Sequence, residues 1–488
     1  MHEVVAGGSP PATTYDVLVI GGGPAGLAAG IEAASTGLSV AVVDERPTMG
    51  GQIFKQPGRG FRITSAKALG HDFARGRALI EVAERSSAEL LVGTSAVAIR
   101  GTEAVLVAEG ERARTVEARR VIVASGAHDR PVVFPGWTLP GVITAGGAQS
   151  LIKTQRVTPG RSIVFAGSGP LALAFPAQLR GYGANVTAVL EAGPAPGPGD
   201  VARLARAARG NLRLLRDAAA YRARLLRDRV PLRYRRIIVR AEGGSCVERV
   251  VHAAADPDWR PLAGSEEVIE ADALCVGYGF FPSVELLRLA GCEFAYDEDL
   301  GGPVVTRDDW LRSSVEGIAV AGDGTGGTGS YAAIDEGRLA ALGAAADLGA
   351  ICVKEADRRA ASLRRNLGRQ AAFRSALRRL HAVGPGIYEL ATADTVVCRC
   401  EELTAGELDA AIATSTDVNA VKALTRVAMG LCQGRNCQRH VAAAIARAHG
   451  GTIEALPVAT PRVPLRPVAI CAVADSSIED GGYFTRDD

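Results

Sequence analysis

Short apolar runs of strand length alternate with Ala-rich segments punctuated by glycine along most of the chain. The clearest runs are residues 15–20 (YDVLVI), 39–43 (SVAVV), 162–166 (SIVFA) and 185–190 (NVTAVL). Runs of this length predict buried strands, and the Ala-rich segment within each pair predicts a helix. Two such strand–helix–strand units indicate an α/β fold built on parallel sheets.

The first unit carries a G-x-G-x-x-G turn and an acidic residue after its second strand. Such glycines permit a tight turn, the approach of a pyrophosphate and close packing of helix on strand. The helix N-terminus attracts phosphate, and Asp44 is predicted to accept hydrogen bonds from an adenosine ribose. A glycine-rich turn in a nucleotide-free domain is the alternative. The candidate residues are Gly21, Gly23, Pro24, Ala25, Gly26, Asp44 and Glu45.

The second unit repeats this pattern, with Ala172 in place of the last glycine, a replacement that the motif tolerates. Its second strand ends at Glu191, and an acid there favours NAD or another adenosine nucleotide over NADP. The alternative is a duplicated domain that has kept its fold and lost its ligand. The candidate residues are Gly167, Gly169, Pro170, Leu171 and Glu191.

Two further apolar runs predict strands whose carboxyl ends reach the first site. Residues 121–127 (VIVASGA) enter a tight turn, and residues 317–324 (GIAVAGDG) deliver Asp323. Ligands of open α/β sheets bind at the carboxyl ends of strands, so Asp323 is predicted to bind a sugar-like chain such as ribityl. A helix over 332–348 would direct its positive N-terminus at the same place. The candidates are Ser125, Gly126, Asp323 and Ala332.

Four of the nine cysteines cluster near the C-terminus as C-x-C and C-x4-C, namely Cys398, Cys400, Cys432 and Cys437. Thiolates in two close pairs predict ligands of an iron–sulfur cluster. Structural zinc, which prefers C-x2-C, is the alternative. Gly430, Gly434 and Arg435 are predicted to form a loop that wraps the cluster. His440, one turn beyond Cys437, is predicted to lie on the surface of a helix.

Composition narrows the class of protein. A chain of 488 residues exceeds one ordinary core, so several domains are expected. A net charge of +2 gives no reason to expect a nucleic-acid partner. The N-terminus lacks the regions of a signal peptide, and no apolar run reaches the roughly 18 residues of a membrane span. Clustered cysteines in such a chain indicate metal or redox chemistry in a reducing cytoplasm.

The motifs together resemble a known family. GGGPAGLAAG, VVDERPTMGGQI, SGAHDRPVVFPGWTLPGV, GSGPLALAF, VGYGFFPS and AGDGTGGTG are similar to flavoproteins with two dinucleotide-binding domains. Among these, the chain resembles the α-type subunits of opine oxidases, hydrogen cyanide synthase and dye-linked proline or hydroxyproline dehydrogenases. The segment from CRCEELTAGEL to GLCQGRNC resembles their [2Fe–2S] domain of the bacterioferritin-associated-ferredoxin type.

The motif GGQI adds two candidate residues, Gly51 and Gln52, to the first nucleotide site. The absence of cysteine from GGQIFKQPG argues against the redox disulfide of related reductases.

The resemblance implies FAD in the first nucleotide site and a [2Fe–2S] cluster on the four cysteines. In some members the nucleotide sites hold NAD or ATP, and an FMN lies at a subunit boundary. A separate β-type flavoprotein of the amino-acid-oxidase class oxidises an amino acid or opine, with a small γ subunit in some complexes. Electrons then pass to a quinone or dye. The resemblance therefore implies a hetero-oligomer in the cytoplasm, or peripheral at the inner membrane through its acceptor.

The predicted fold is α/β, with two Rossmann-like domains of the glutathione/thioredoxin-reductase type and a small α-helical [2Fe–2S] domain. The expected divisions are a flexible arm (1–14), an FAD-binding domain (15–135 with 270–352), a second nucleotide-binding domain (136–269), a solvated helical linker (353–390), the [2Fe–2S] domain (391–453) and an extended tail (454–488). The tail is punctuated by proline and is expected to lie along this chain or a partner.

No Ser-His-Asp arrangement or paired-carboxylate site stands out, so no catalytic residue is predicted. That fits an electron-relay subunit, in which the cofactors carry the chemistry. Two other functions remain open from the residues. One is a stand-alone flavoprotein reductase that uses NADH. The other is an assembly scaffold that holds a structural nucleotide and a zinc ion.

Overall fold

The computed structural model describes residues 13–58, 60–63, 69–208, 212–327 and 329–473. Nearly all of the predicted N-terminal arm and the end of the predicted tail lie outside the described residues. The strands of the described part are β1 (Thr13–Ile20), β2 (Val40–Asp44), β3 (Glu89–Val92), β4 (Thr94–Arg100), β5 (Glu103–Ala108), β6 (Arg114–Val123), β7 (Ala127–Asp129), β8 (Val142–Thr144), β9 (Ile163–Gly167), β10 (Val186–Glu191), β11 (Leu232–Tyr234), β12 (Arg236–Glu242), β13 (Arg249–Ala254), β14 (Glu267–Glu270), β15 (Ala273–Gly277), β16 (Phe280–Pro282), β17 (Phe294–Asp297), β18 (Gly302–Val305), β19 (Ile318–Val320), β20 (Val396–Cys398) and β21 (Leu403–Thr404).

The helices of the same part are α1 (Pro24–Ala34), α2 (His71–Glu84), α3 (Ala145–Lys153), α4 (Leu171–Gly181), α5 (Pro198–Ala207), α6 (Leu212–Arg227), α7 (Glu285–Leu289), α8 (Ser330–Asp347), α9 (Val353–Leu380), α10 (Ala405–Ile412), α11 (Val418–Thr425), α12 (Gln438–His449) and α13 (Ile470–Val473). Both predicted strand–helix–strand units are present, which confirms the α/β class.

The first sheet has the strand order β3-β2-β1-β6-β5-β4, and β19 pairs with β6. β1 runs parallel to β2 and β6, and β19 runs parallel to β6. Helices α1 and α8 cover one face with small side chains, mostly alanine, which lets the helices pack closely on the sheet. Because β1, β6 and β19 are parallel neighbours, the loops after their carboxyl ends meet at one edge, where α1 and α8 begin.

The second sheet has the order β11-β10-β9-β15-β8, with all strands parallel. Its faces are covered by α3 and α4 on one side and by the antiparallel sheet β12-β13-β14 on the other.

β15 belongs to the second, five-stranded sheet, so the predicted domain boundary at residue 270 is wrong. The chain returns to the first domain only after Gly277. A short, fully buried strand can pair in either sheet, and its local sequence does not decide between them.

The predicted linker helix is present as α9, but it is attached to the first domain and is not simply solvated. The carboxylate of Glu32 in α1, which is 6% exposed, accepts hydrogen bonds from Arg338 of α8 and Arg359 of α9. Apolar side chains of α9, Ala360 and Leu363, join the core beneath. One carboxylate thus ties three helices together.

The C-terminal segment forms a small domain of β20, β21 and α10–α12 around its own apolar core. A capping box formed by Thr404 and Glu407 opens α10. Helix α12 follows Cys437, with Gly450 as its C-cap. In the part of the chain that the structure describes, no helix combines the length and apolarity needed to cross a bilayer.

The described part of the tail lies along this chain, which confirms one of the two expected placements. Leu465 donates its backbone N–H to the Val97 carbonyl at 2.9 Å, and its side chain is buried in the core of the first domain. Arg288 holds the tail from the other side by donating to the carbonyls of Val458 and Ala459.

Candidate cofactor sites

The first G-x-G-x-x-G turn has the geometry of a nucleotide-binding turn. Gly21 has φ +114°, and a Cβ there would lie 2.2 Å from the Ala124 carbonyl oxygen. A Cβ at Gly26 would lie 1.7 Å from the Gly21 carbonyl oxygen, so only glycine permits helix α1 to pack on the turn. Gly23 is the N-cap of α1 and offers no side chain, with Pro24 next. No side chain caps the first N–H groups of α1, and such groups are the ones that would bind a phosphate.

Asp44 lies beside this turn, whereas Glu45 points elsewhere. One Asp44 carboxylate oxygen accepts from the Gly22 N–H at 2.7 Å and the other from the Arg46 N–H at 2.8 Å. Burial raises the pKa of Asp44 above its usual value although these bonds oppose the change. Each oxygen keeps a lone pair for a ribose hydroxyl. Glu45 instead pairs with Arg466 of the tail at 2.7 Å.

The GGQI loop contributes backbone to the first site. Gly51 has φ +61°, and a Cβ on it would lie 2.8 Å from the Gly23 Cα. Because neither Gly51 nor Gly23 has a side chain, this loop packs directly against the phosphate-binding turn. Gln52 is exposed and does not share this contact.

The loops after β6 and β19 meet at the same edge, as predicted. Ser125 donates its hydroxyl to the Ser283 carbonyl at 2.7 Å, and a Cβ at Gly324 would lie 3.5 Å from the Gly126 carbonyl oxygen. Asp323 lies in a 3₁₀ turn and accepts from the Gly329 N–H at 2.9 Å, just before α8. Ala332 is buried in the first turn of α8. The structure thus brings these four candidates to the first site.

The second turn is also preserved. Glu191 is 3% exposed, and its two oxygens accept from the N–H groups of Gly169 at 3.1 Å and Gly193 at 2.9 Å. Burial raises its pKa to about 7. Pro170 is the N-cap of α4 and Leu171 its first residue, while Gly167 ends β9.

His381, at the end of α9, covers this second turn. Its ring carbon lies 3.8 Å from the position of a Cβ on Gly169. Burial lowers the pKa of His381 to about 4. The sequence gives no signal for this contact, because the end of a helix does not reveal which turn it packs on.

The four C-terminal cysteines lie together as two pairs. The Cys437 thiol donates to Cys398, and that bond lowers the pKa of Cys398 to about 6. The Cys400 thiol donates to Cys432. Cys398 and Cys437 are buried, whereas Cys400 is exposed and Cys432 half-buried. The group therefore has an inner pair and an outer pair.

These two pairs fit the ligand set of a two-iron cluster, which takes four thiolates. Among the described residues, no three His, Cys, Asp or Glu side chains are spaced to hold one metal ion. The loop predicted to wrap the site does so closely. A Cβ on Gly430 would lie 2.3 Å from the Cys400 Cβ, and Gln433 and Gly434 have positive φ. Arg435 donates to the Cys432 carbonyl at 3.2 Å.

His440 is not on a helix surface, which corrects the prediction. It is 6% exposed, and its Nε2–H donates to the Pro131 carbonyl at 3.2 Å. Burial lowers its pKa to about 4. Trp137 makes a second such contact by donating its indole N–H to the Val396 carbonyl at 2.6 Å. The face of α12 that sequence assigned to solvent is therefore the face that packs on the nucleotide-binding domains.

Known protein families match both the nucleotide-binding part of the chain and its cysteine domain. Residues 15–341 match the family described as pyridine nucleotide-disulphide oxidoreductase, and residues 396–447, which hold the four cysteines, match the BFD-like [2Fe-2S] binding domain. A crystal structure of L-proline dehydrogenase from P. horikoshii has the same fold, with a TM-score of 0.65 at 22% identity over 94% of this chain and 79% of that chain. The chain is thus an oxidoreductase of the two-dinucleotide-domain class with a ferredoxin-like C-terminal domain.

Relatives of known function cover nearly the whole chain. The HcnB subunit of hydrogen cyanide synthase from Pseudomonas protegens is 34% identical over 95% of this chain and 98% of its own length. An opine oxidase subunit from Rhizobium meliloti (strain 1021) is 34% identical over 94% of this chain and 98% of its own length. The chain belongs to the family of these subunits, as the motifs of its sequence indicate.

Proposed function

We propose that this chain is the electron-relay subunit of a multi-subunit enzyme that oxidises an amino acid or an opine. One observation carries the proposal. The chain leaves β6 at the first nucleotide site and runs through residues 128–137. This stretch contacts the domain of the four cysteines, through the Pro131 carbonyl with His440 and through Trp137 with the Val396 carbonyl. A two-electron and a one-electron centre would thus be joined by one short stretch of chain.

In this proposal the first site holds FAD, through the turn around Gly23, the carboxylate of Asp44 and the loop of Asp323. The four cysteines hold a [2Fe–2S] cluster, which supplies one-electron transfer when bound. The second site, around Gly169 and Glu191, takes NAD or ATP. An FMN, as some members of the family carry, would lie at a subunit boundary.

Oxidation of the substrate is assigned to a partner, a β-type flavoprotein of the amino-acid-oxidase class. The relatives are named as subunits of hydrogen cyanide synthase and opine oxidase, which supports a hetero-oligomer, with or without a small γ subunit. Asp44, the acid of the proposed FAD site, accepts hydrogen bonds from two backbone N–H groups, as suits a binding role. A cytoplasmic location, with peripheral contact to the inner membrane through the acceptor, belongs to the same proposal.

Cofactor content tests the assignment. We expect the purified chain to be yellow-brown and to contain flavin, iron and acid-labile sulfide. Cys432→Ser should abolish the cluster and leave flavin binding largely intact, because the two sites lie in different domains. Cys246→Ser is the matched control, since Cys246 is an exposed cysteine outside the cluster. Zinc without sulfide would overturn the assignment and favour the scaffold function.

A stand-alone NADH-dependent reductase is the second candidate, because Glu191 keeps the position of a ribose acceptor. Rapid bleaching of the flavin by NADH would favour the reductase. No bleaching at millimolar NADH would reject it.

A further inference from the structure

The carboxylate of Glu298 joins the nucleotide-binding domains to the cysteine domain. Glu298, in the turn between β17 and β18, accepts from Arg130 Nη1 at 2.9 Å and from Arg439 Nη2 at 2.5 Å. The Tyr296 hydroxyl donates to the same carboxylate. The side chain of Arg130 is 2% exposed, that of Arg439 10% and that of Glu298 34%. We call Arg130, Glu298 and Arg439 the Glu298 clamp.

Each of the two arginines lies close in sequence to one of the two cofactor sites. Arg130 directly follows β7, a few residues beyond Ser125 and Gly126 of the first nucleotide site. Arg439 lies in the first turn of α12, which begins after the inner thiol Cys437. The clamp therefore holds the end of β7, near the first nucleotide site, against α12, which begins at the cysteine site.

Aromatic rings hold the clamp in one arrangement. The Arg130 guanidinium lies 4.5 Å from the centre of the Phe281 ring and that of Arg439 lies 5.5 Å from it. Cations over ring faces are attracted by the ring quadrupole. Tyr388 accepts a hydrogen bond from Arg130 and packs edge-on against His440 at 5.3 Å. Both guanidinium groups are thus oriented on more than one side.

The clamp also carries an excess of positive charge. Burial opposes ionisation of Glu298, but Arg130 and Arg439 outweigh it and keep the pKa of Glu298 below its usual value. With the carboxylate ionised, two guanidinium groups face one negative charge. The remaining positive charge lies near the helix that begins at the buried thiol pair. Charge close to an iron–sulfur cluster shifts its reduction potential.

We propose that Arg439 and Glu298, with Arg130, are positioning residues for electron transfer between the flavin and the cluster. They hold the cysteine domain at a fixed orientation to the first nucleotide site, and their net charge raises the cluster potential. The step served would be a one-electron transfer, in which the reduced flavin would lose one electron and a bound, oxidised cluster would gain it. This inference rests on the proposed function, which supplies the reduced flavin through the partner.

Two substitutions separate orientation from charge. Glu298→Gln keeps the shape and removes a negative charge, so it should raise the cluster midpoint potential. Arg439→Gln removes a positive charge and should lower it. Both should slow flavin-to-cluster transfer several-fold, because the rate of electron tunnelling falls steeply as the distance between the two centres grows. Arg439→Lys keeps the charge without the planar fork, so it should restore the potential but not the rate.

The measurements are laser-flash reduction of the flavin by deazariboflavin, with cluster bleaching as the readout, and a redox titration of the full chain. Amide exchange of residues 439–441 should also quicken in both variants. Arg447→Gln is the matched control on α12, because Arg447 is exposed and its long contact to the Tyr388 carbonyl lies outside the clamp. It should change neither rate nor potential.

Unchanged transfer rates in both clamp variants, with flavin and cluster bound, would overturn the proposal. Potentials that shift in the same direction would also overturn it, because a merely structural defect does not follow the sign of the charge removed. These results differ from failure of the proposed function. That failure would show in the unaltered chain as missing flavin or missing sulfide.

Discussion

At the scale of the residue, Gly430 shows how closely the cysteine site is built. The loop between α11 and α12 runs so near the C-x-C turn that a methyl group on Gly430 would lie 2.3 Å from the Cys400 Cβ and 3.3 Å from its sulfur. Real Cβ atoms do not approach so closely, so a side chain there must displace a thiol. The absence of a side chain at this position is thus a property of the site itself.

Gly430→Ala should therefore lower the iron and acid-labile sulfide bound per chain several-fold while the flavin content stays the same. Gly451→Ala is the control, because a Cβ on Gly451 meets nothing within 4 Å. Iron, sulfide and flavin are measured on the same preparation. Full iron and sulfide in Gly430→Ala would show that the loop is not part of the cluster site.

At the scale of the element, α9 is held where α1 and α8 meet. The side chain of Glu32 is 8% exposed, while those of its partners Arg338 and Arg359 are 47% and 31% exposed. Solvent screens these partners in part, so the pair is weaker than a fully buried one. Removal of the Glu32 charge would still leave the guanidinium groups of Arg338 and Arg359 next to a buried side chain that no longer neutralises them.

Glu32→Gln should accordingly lower the free energy of unfolding of the first domain by about 1–3 kcal/mol. Glu355→Gln is the matched control, because it breaks an exposed ion pair with Arg358 on α9 and should cost less than about 0.5 kcal/mol. Urea unfolding followed by flavin release measures both. Equal effects of the two substitutions would show that Glu32 does not tie the helices together.

Local sequence predicts the elements better than it predicts their surroundings. The turns at Gly21 and Gly167, the capping box at Thr404 and the helix after Cys437 follow from short motifs, because the same few residues supply the reason for each. His440, His381 and Glu298 have partners far along the chain, so no local pattern places them. The domain assignment of β15 failed for the same reason.

At the scale of the molecule, the chain connects two kinds of cofactor-binding domain. Its inner thiol pair faces the nucleotide-binding domains, where Val133 shares the apolar core of Cys398 and Cys437. In its outer pair, Cys400 is exposed and Cys432 is half-buried. This polarity suits a relay that receives electrons on one side and releases them on the other.

Substrate turnover with and without the partner is the sharpest test of the relay assignment. The purified chain, with flavin and cluster bound, is assayed for dye reduction with proline, hydroxyproline, glycine and opines, alone and after reconstitution with the partner flavoprotein of the amino-acid-oxidase type. We expect no turnover by the chain alone and substrate-dependent reduction of its flavin and cluster in the complex. Robust amino-acid or opine oxidation by the isolated chain would contradict the assignment.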